Sequence, residues 1–159
     1  MNHFLTALAF LVAIGSLPAH AQSDAGHMLD AMFQTFDENR DGVITTAEAN
    51  RFIDKTFAEM DMKHTGAIFR DAWMRFSFGL ADLAAEEGRS DAYDLAKYQI
   101  FKRWNKSKSG ALSLEEYRAG VLGDARKAVG GQPKDGEDMK IDLAAFKRAP
   151  FVRQLMHSL

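Results

Sequence analysis

The sequence predicts an all-α protein of four helix–loop–helix units in two pairs, with short β ladders between loops. Three observations predict it. Apolar residues recur at three- and four-residue spacing along most of the chain. The segments between these stretches repeat a glycine with an aliphatic two residues on: Gly42/Ile44, Gly66/Ile68 and Gly110/Leu112, with Ile141 standing alone in the fourth. The first loop also sets five oxygen-bearing side chains, Asp37, Asn39, Asp41, Thr45 and Glu48, around its glycine.

The elements follow in chain order. Phe4 to Gly15 is an apolar run of signal-peptide length, followed by Leu17-Pro18 and the small-residue pattern Ala19-His20-Ala21. We expect residues 1–21 to be a signal peptide cleaved after Ala21, although the leading segment holds no Lys or Arg. Length and flanks favour cleavage over an uncleaved anchor, and no cysteine follows that could carry a lipid. The mature chain is then expected to be periplasmic or secreted, with no stable membrane anchor.

A first helix is predicted over Gly26–Phe36 on the spacing of Leu29, Met32, Phe33 and Phe36, with Ser23 or Asp24 as cap. A second runs over Thr46–Met60 with Phe52, Ile53, Phe57 and Met60 on one face. A third begins near Arg70 and carries Trp73, Met74, Phe76, Leu80 and Leu83 through about four turns. The polar stretch Glu86–Asp91, with Ser90 as a cap, reads as the link between pairs, dividing the mature chain into 22–87 and 88–159. Tyr93, Ala96, Ile100, Phe101 and Trp104 form the next apolar stripe, with Lys97 at its edge. A helix to about Val129, a Gly-rich loop over 130–138, and a last helix interrupted or ended by Pro150 complete the chain.

Composition narrows the function classes. Hydrophobic residues are 47% and charged residues 26%, which is globular rather than disordered. The formal net charge of −2 gives no reason to expect nucleic acid as a partner. The absence of cysteine removes disulfides, thiolate metal sites and a thiol nucleophile. His27, His64 and His157 are scattered, and neither a phosphate loop nor a nucleophile elbow occurs. We therefore expect no enzyme. The methionines are explained better by core filling than by a flexible binding groove.

The oxygen donors point to a hard cation. Ca²⁺ takes six to eight oxygens, and a twelve-residue loop encloses it when alternate side chains point inward. In "DENRDGVITTAE", Asp37, Asn39 and Asp41 stand at positions one, three and five. Gly42 makes the sharp turn, Val43 offers its carbonyl, Thr45 a hydroxyl or a bridging water, and Glu48 a bidentate carboxylate. A solvated Asp/Asn turn would not account for Gly42, Ile44 and Glu48 together.

This loop fulfils D-x-[DN]-x-[DN]-G-x₅-E and resembles the EF-hand superfamily. With the export signal and the 24-residue step from Asp37 to Asp61, the chain is similar to small secreted bacterial EF-hand proteins. The resemblance implies Ca²⁺ as the bound ion and ladders pairing Ile44 with Ile68 and Leu112 with Ile141. The second loop departs from the pattern with Lys63 at position three and Ala72 at twelve, so no calcium is expected there. The third offers Asn105, Ser107, Ser109, the Ala111 carbonyl and Glu116, only one of them charged, with Lys106 and Lys108 alongside. It is expected to bind weakly if at all. The fourth is vestigial, with Lys134 at position one and Ala145 at twelve, and Asp135, Glu137 and Asp138 read as a solvated loop. Two functions remain open: a calcium-responsive sensor or adaptor that exposes an apolar surface to a protein partner, and a structural or buffering calcium module.

Overall fold

The computed structural model describes residues 19–131 and 138–159, with side chains described from residue 25 onward. The expected signal segment lies almost wholly outside the described residues, as do Lys134, Asp135 and Glu137. The described residues form eight helices and four three-residue strands. The first half runs α1 (Ala19–Phe36), β1 (Val43–Thr45), α2 (Thr46–Met60), β2 (Ala67–Phe69), α3 (Arg70–Arg75) and α4 (Ala81–Glu86). The second runs α5 (Ser90–Trp104), β3 (Ala111–Ser113), α6 (Leu114–Ala128), β4 (Lys140–Asp142), α7 (Leu143–Arg148) and α8 (Pro150–Met156).

The strand pairing differs from the expectation. β1 pairs antiparallel with β4, setting Ile44 opposite Ile141, and β2 pairs with β3, setting Ile68 opposite Leu112. The predicted ladders between consecutive loops do not form. The reason lies in α2, which leaves the first loop and enters the second without a break. Its 15 residues span about 22 Å at ~1.5 Å each, so the two loops sit at opposite ends of one rod. α6 separates the third and fourth loops in the same way. The rods α2 and α6 pack together with their ends reversed, so each ladder closes one end of the pair. The Thr56 and Tyr117 hydroxyls meet across this contact at 2.9 Å, and Arg118 pairs with Asp54.

One apolar core draws on both halves of the chain. Phe33 and Phe36 of α1 meet Phe146 of α7 edge-on at 5.7 and 5.4 Å. Trp73 is 1% exposed and meets Trp104 at 5.6 Å, edge to face. Its indole N–H donates to the Lys97 carbonyl at 2.9 Å. Gly120 of α6 lies against the Trp104 ring so closely that a Cβ there would stand 2.4 Å from it.

Other boundaries were displaced. Among the described residues α1 runs from Ala19, ahead of the expected start at Gly26, so the expected cleavage point lies within this helix. The long third helix is two short ones, because Phe78 (φ 49°) and Gly79 (φ 76°) turn left-handed between them. The apolar spacing runs on through this break, which is why the sequence alone reads as continuous helix. Lys97, expected at a stripe edge, is only 2% exposed. Its ammonium donates to the Met74 carbonyl at the end of α3 and lies 5.2 Å from the Tyr93 ring centre. A cation there satisfies a carbonyl that the helix end leaves orphaned. Ser90 is the first residue of α5 rather than its side-chain cap, and Pro150 opens α8 at its first position.

Candidate functional site

The first loop is held open at its turn by Arg40 (φ 59°) and Gly42 (φ 85°), both left-handed. This conformation is routine for glycine and uncommon for other residues. α1 delivers Asp37 directly after its last turn, and α2 delivers Glu48 from its first. Both carboxylates are enclosed, at 3% and 2% exposure.

The loop's own amides converge on these oxygens. The Asp37 carboxylate accepts from the Asp41 amide at 3.1 Å and from the Gly42 amide at 2.9 Å. Asp41 accepts from the Asn39 side-chain amide at 3.0 Å and from the Val43 amide at 2.9 Å. Glu48 accepts from the Thr45 amide at 2.9 Å, the Thr45 hydroxyl at 2.8 Å and, more loosely, the Asn39 amide at 3.4 Å. Thr45 in turn accepts from the Glu48 amide, so the pair is a reciprocal cap on α2. The Thr45 amide is the main reason that the Glu48 carboxyl titrates below its ordinary range, against the opposing effect of burial.

No three acidic or histidine side chains form a ready metal cage among the described residues. The predicted ligands are nevertheless brought into one loop, and their chemistry fits a hard cation. Every donor is oxygen. Neither Asp37 nor Glu48 has an ion-pair partner among the described residues, since the nearby Arg51 is paired with Glu38 at 2.7 Å. A buried carboxylate satisfied only by neutral donors is costly unless a cation accompanies it.

Neither of the next two loops encloses two such carboxylates. In the second, Asp61 is buried but occupied by the Thr65 amide (2.9 Å), the Thr65 hydroxyl (2.8 Å) and the Gly66 amide (2.7 Å). Burial raises the pKa of Asp61, yet these hydrogen bonds together outweigh it and lower the carboxyl below its usual range. Lys63 is exposed, so its ammonium does not fill the loop. In the third loop, Ser107 bonds to the Asn105 side chain and to Ser109, both at 3.1 Å, while Ser109 donates to the Ala111 carbonyl at 2.8 Å. Glu116, half-buried, accepts from the Ser107 amide at 2.8 Å and the Ser113 amide at 3.2 Å. No other ligand position of this loop carries a carboxylate, and the neighbouring Glu115 is exposed.

Two contributors to the first loop's surroundings were not foreseen. Asp138, read from sequence as solvated, accepts from the Thr46 amide at 3.1 Å. The Thr46 hydroxyl accepts from the Met139 amide at 3.2 Å. These bonds cross 92 and 93 positions and tie the exit of the first loop to the fourth. No sequence signal pairs such distant residues, because the connection depends on the ladder partner.

No curated protein and no solved structure matches the chain significantly. Residues 29–53, which hold the end of α1, the first loop and the start of α2, match the family model described as EF hand, and this supports placing that segment in the EF-hand superfamily.

Proposed function

We propose that the protein binds one Ca²⁺ ion tightly, in the first loop. Asp37, Asn39 and Asp41 would supply side-chain oxygens, Val43 its carbonyl, Thr45 its hydroxyl or a bridging water, and Glu48 both carboxylate oxygens. The observation that carries this reading is the pair of enclosed carboxylates, Asp37 and Glu48, neither with an ion-pair partner among the described residues. The third loop, with Asn105, Ser107, Ser109, Ala111 and Glu116, is at most a weak site, since ligand charge sets much of the affinity for a divalent ion. Calorimetric titration with Ca²⁺ tests the proposal. One tight event is expected, and no tight event, or two of equal affinity, would overturn it.

We further propose an exported protein acting as a calcium-responsive sensor or adaptor through a protein partner. The apolar leader with its Ala19-His20-Ala21 pattern supports export. Phe36 and Phe52 stack at 3.6 Å on either side of the first loop, so a shift in the loop's flanking helices would move apolar surface, which supports a sensor. A structural or buffering module is the competing reading, favoured by the hydrogen bonds that tie Thr46 to Asp138 and Met139. A solvatochromic apolar dye separates the two: a calcium-dependent rise in its emission supports the sensor. The N-terminal mass of the native protein tests export, and residues before Ala19 on it would refute cleavage.

A further inference from the structure

A cavity of about 360 Å³ opens between α1, α2, the bend joining α3 to α4, α6 and α8. Its walls are unusually aromatic: Phe36, Phe52, Phe76, Phe78, Trp104 and Tyr117 all line it. Three buried side chains in that lining carry polar atoms: Thr56 and Tyr117 bond to each other at 2.9 Å, with Thr56 also reaching the Phe52 carbonyl at 2.9 Å, while the Trp104 indole N–H has no hydrogen-bond partner among the described residues. The charged lining residues, Lys55 and Glu59, are exposed and opposite in sign. They select neither an anionic nor a cationic head group.

From this geometry we propose that the cavity is a binding site for a small, uncharged, flat aromatic molecule of about a dozen non-hydrogen atoms. The size follows from the volume, at the roughly 30 Å³ that a water claims in the liquid. An apolar cavity of about 150 Å³ already takes up benzene, so a bicyclic ring fits this one. The preference for a ring over an alkyl chain follows from the walls. Aromatic rings gain from edge-to-face contacts, and Met28 and Met32 add polarisable sulfur that packs well against ring edges.

The bend supplies an independent observation. Phe78 holds a left-handed backbone (φ 49°), which is a genuine outlier for a bulky residue. Such strain persists where the surroundings fix it, and it clusters at ligand clamps. Here the Tyr93 hydroxyl donates to the Ser77 carbonyl, and the Lys97 ammonium to the Met74 carbonyl just before the bend. The Phe78 ring meets Trp73 at 5.1 Å and Phe76 at 4.8 Å, both edge-on. The bend thus keeps two rings on the cavity wall.

The test is a titration of the calcium-free full chain with 2-naphthol, followed by the methyl signals of ¹³C-labelled methionine. Met28 and Met32 line the cavity, whereas Met62 is 72% exposed and absent from its lining, so it serves as the internal control. Saturable shifts at Met28 and Met32 are expected, with a Kd of roughly tens to hundreds of micromolar. Met62 should stay still. Met32→Trp fills the cavity and Thr35→Trp fills its mouth, and each should weaken binding at least about tenfold while near-ultraviolet circular dichroism stays cooperative on heating. Absence of saturable shifts, equal shifts at Met62, or unchanged affinity in a folded variant of either kind would overturn the proposal. So would tighter binding of decanoate, or of an amphipathic peptide, at the same two methyls.

Discussion

Replacing Glu48 by Gln separates the two tasks of this side chain. In the ion-free protein one carboxylate oxygen serves Thr45 and the other reaches Asn39 at 3.4 Å. Glutamine keeps one acceptor, which remains with the short Thr45 bonds, and its amide group turns toward the Asn39 N–H. The loss is one long hydrogen bond and the charge assistance of the two Thr45 bonds, together about 1–3 kcal/mol, offset in part because a buried charge is also removed. The ion-free fold should therefore survive with a small decrease in Tm. The calcium response should not survive. At a hundredfold excess over Kd, an ion bound only by the folded state stabilises it by about 2.7 kcal/mol. For a chain of this size that raises Tm by roughly 10 °C. Thermal unfolding with Ca²⁺ and with chelator is the assay. The wild type and Glu116→Gln should both show the rise, and Glu48→Gln should show almost none. If Glu116→Gln abolishes the rise while Glu48→Gln retains it, the argument from carboxylate count and burial fails.

Further predictions follow from the carboxylates, the phenols and the core. The carboxyl groups of Glu48, Asp61 and Glu116 are held below their ordinary range, so the stability that they contribute is present above their unfolded pKa values and lost as pH falls through the folded ones. Chelator-treated protein should lose Tm on acidification below about pH 4.5, less steeply in Glu48→Gln, and a pH series of melting curves measures this. Burial pushes the Tyr117 phenol up to about 12 and raises Tyr93 in the same direction. Their contribution is complete below about pH 10 and disappears as pH rises beyond it, so alkaline unfolding should coincide with tyrosinate absorbance and begin at higher pH in Tyr117→Phe. Gly120→Ala drives a methyl into the Trp104 ring and should cost about 1–3 kcal/mol, read as a lower urea midpoint with an unchanged m-value.

What the sequence disclosed tracks what is local. Both ends of α2 were predicted, because an apolar face running from Phe52 to Met60 is a property of neighbouring residues, although the Thr45 cap that fixes its start was not named. The left-handed glycines at 42, 66 and 110 were placed by the turn that each loop requires. The stripe of α5 was also found, yet Lys97 within it was assigned to an edge, since its burial depends on the Met74 carbonyl more than twenty positions away. The ladder partners were misread for the same reason. The spacing that mattered was in plain view: Asp37 to Asp61 leaves room for one shared helix and not for two. Pairing neighbours in sequence ignored the length of that rod. The bend at Phe78 was hidden by hydrophobic spacing that continues through it, and Gly79 was its only local mark.

The joining of Ile44 to Ile141 and of Thr46 to Asp138 also bears on synthesis. While the ribosome is still translating, the complete ligand loop emerges early, but the strand that it pairs with is nearly a hundred residues away. Contacts of such long separation form late and slow folding. A nascent chain ending at residue 87 would carry every proposed calcium ligand of the first loop and yet leave the edges of both β1 and β2 bare. Ion affinity in such a fragment would then be limited by missing backbone partners rather than by missing oxygens. Maturation of the site would wait for the other end of the polypeptide to arrive.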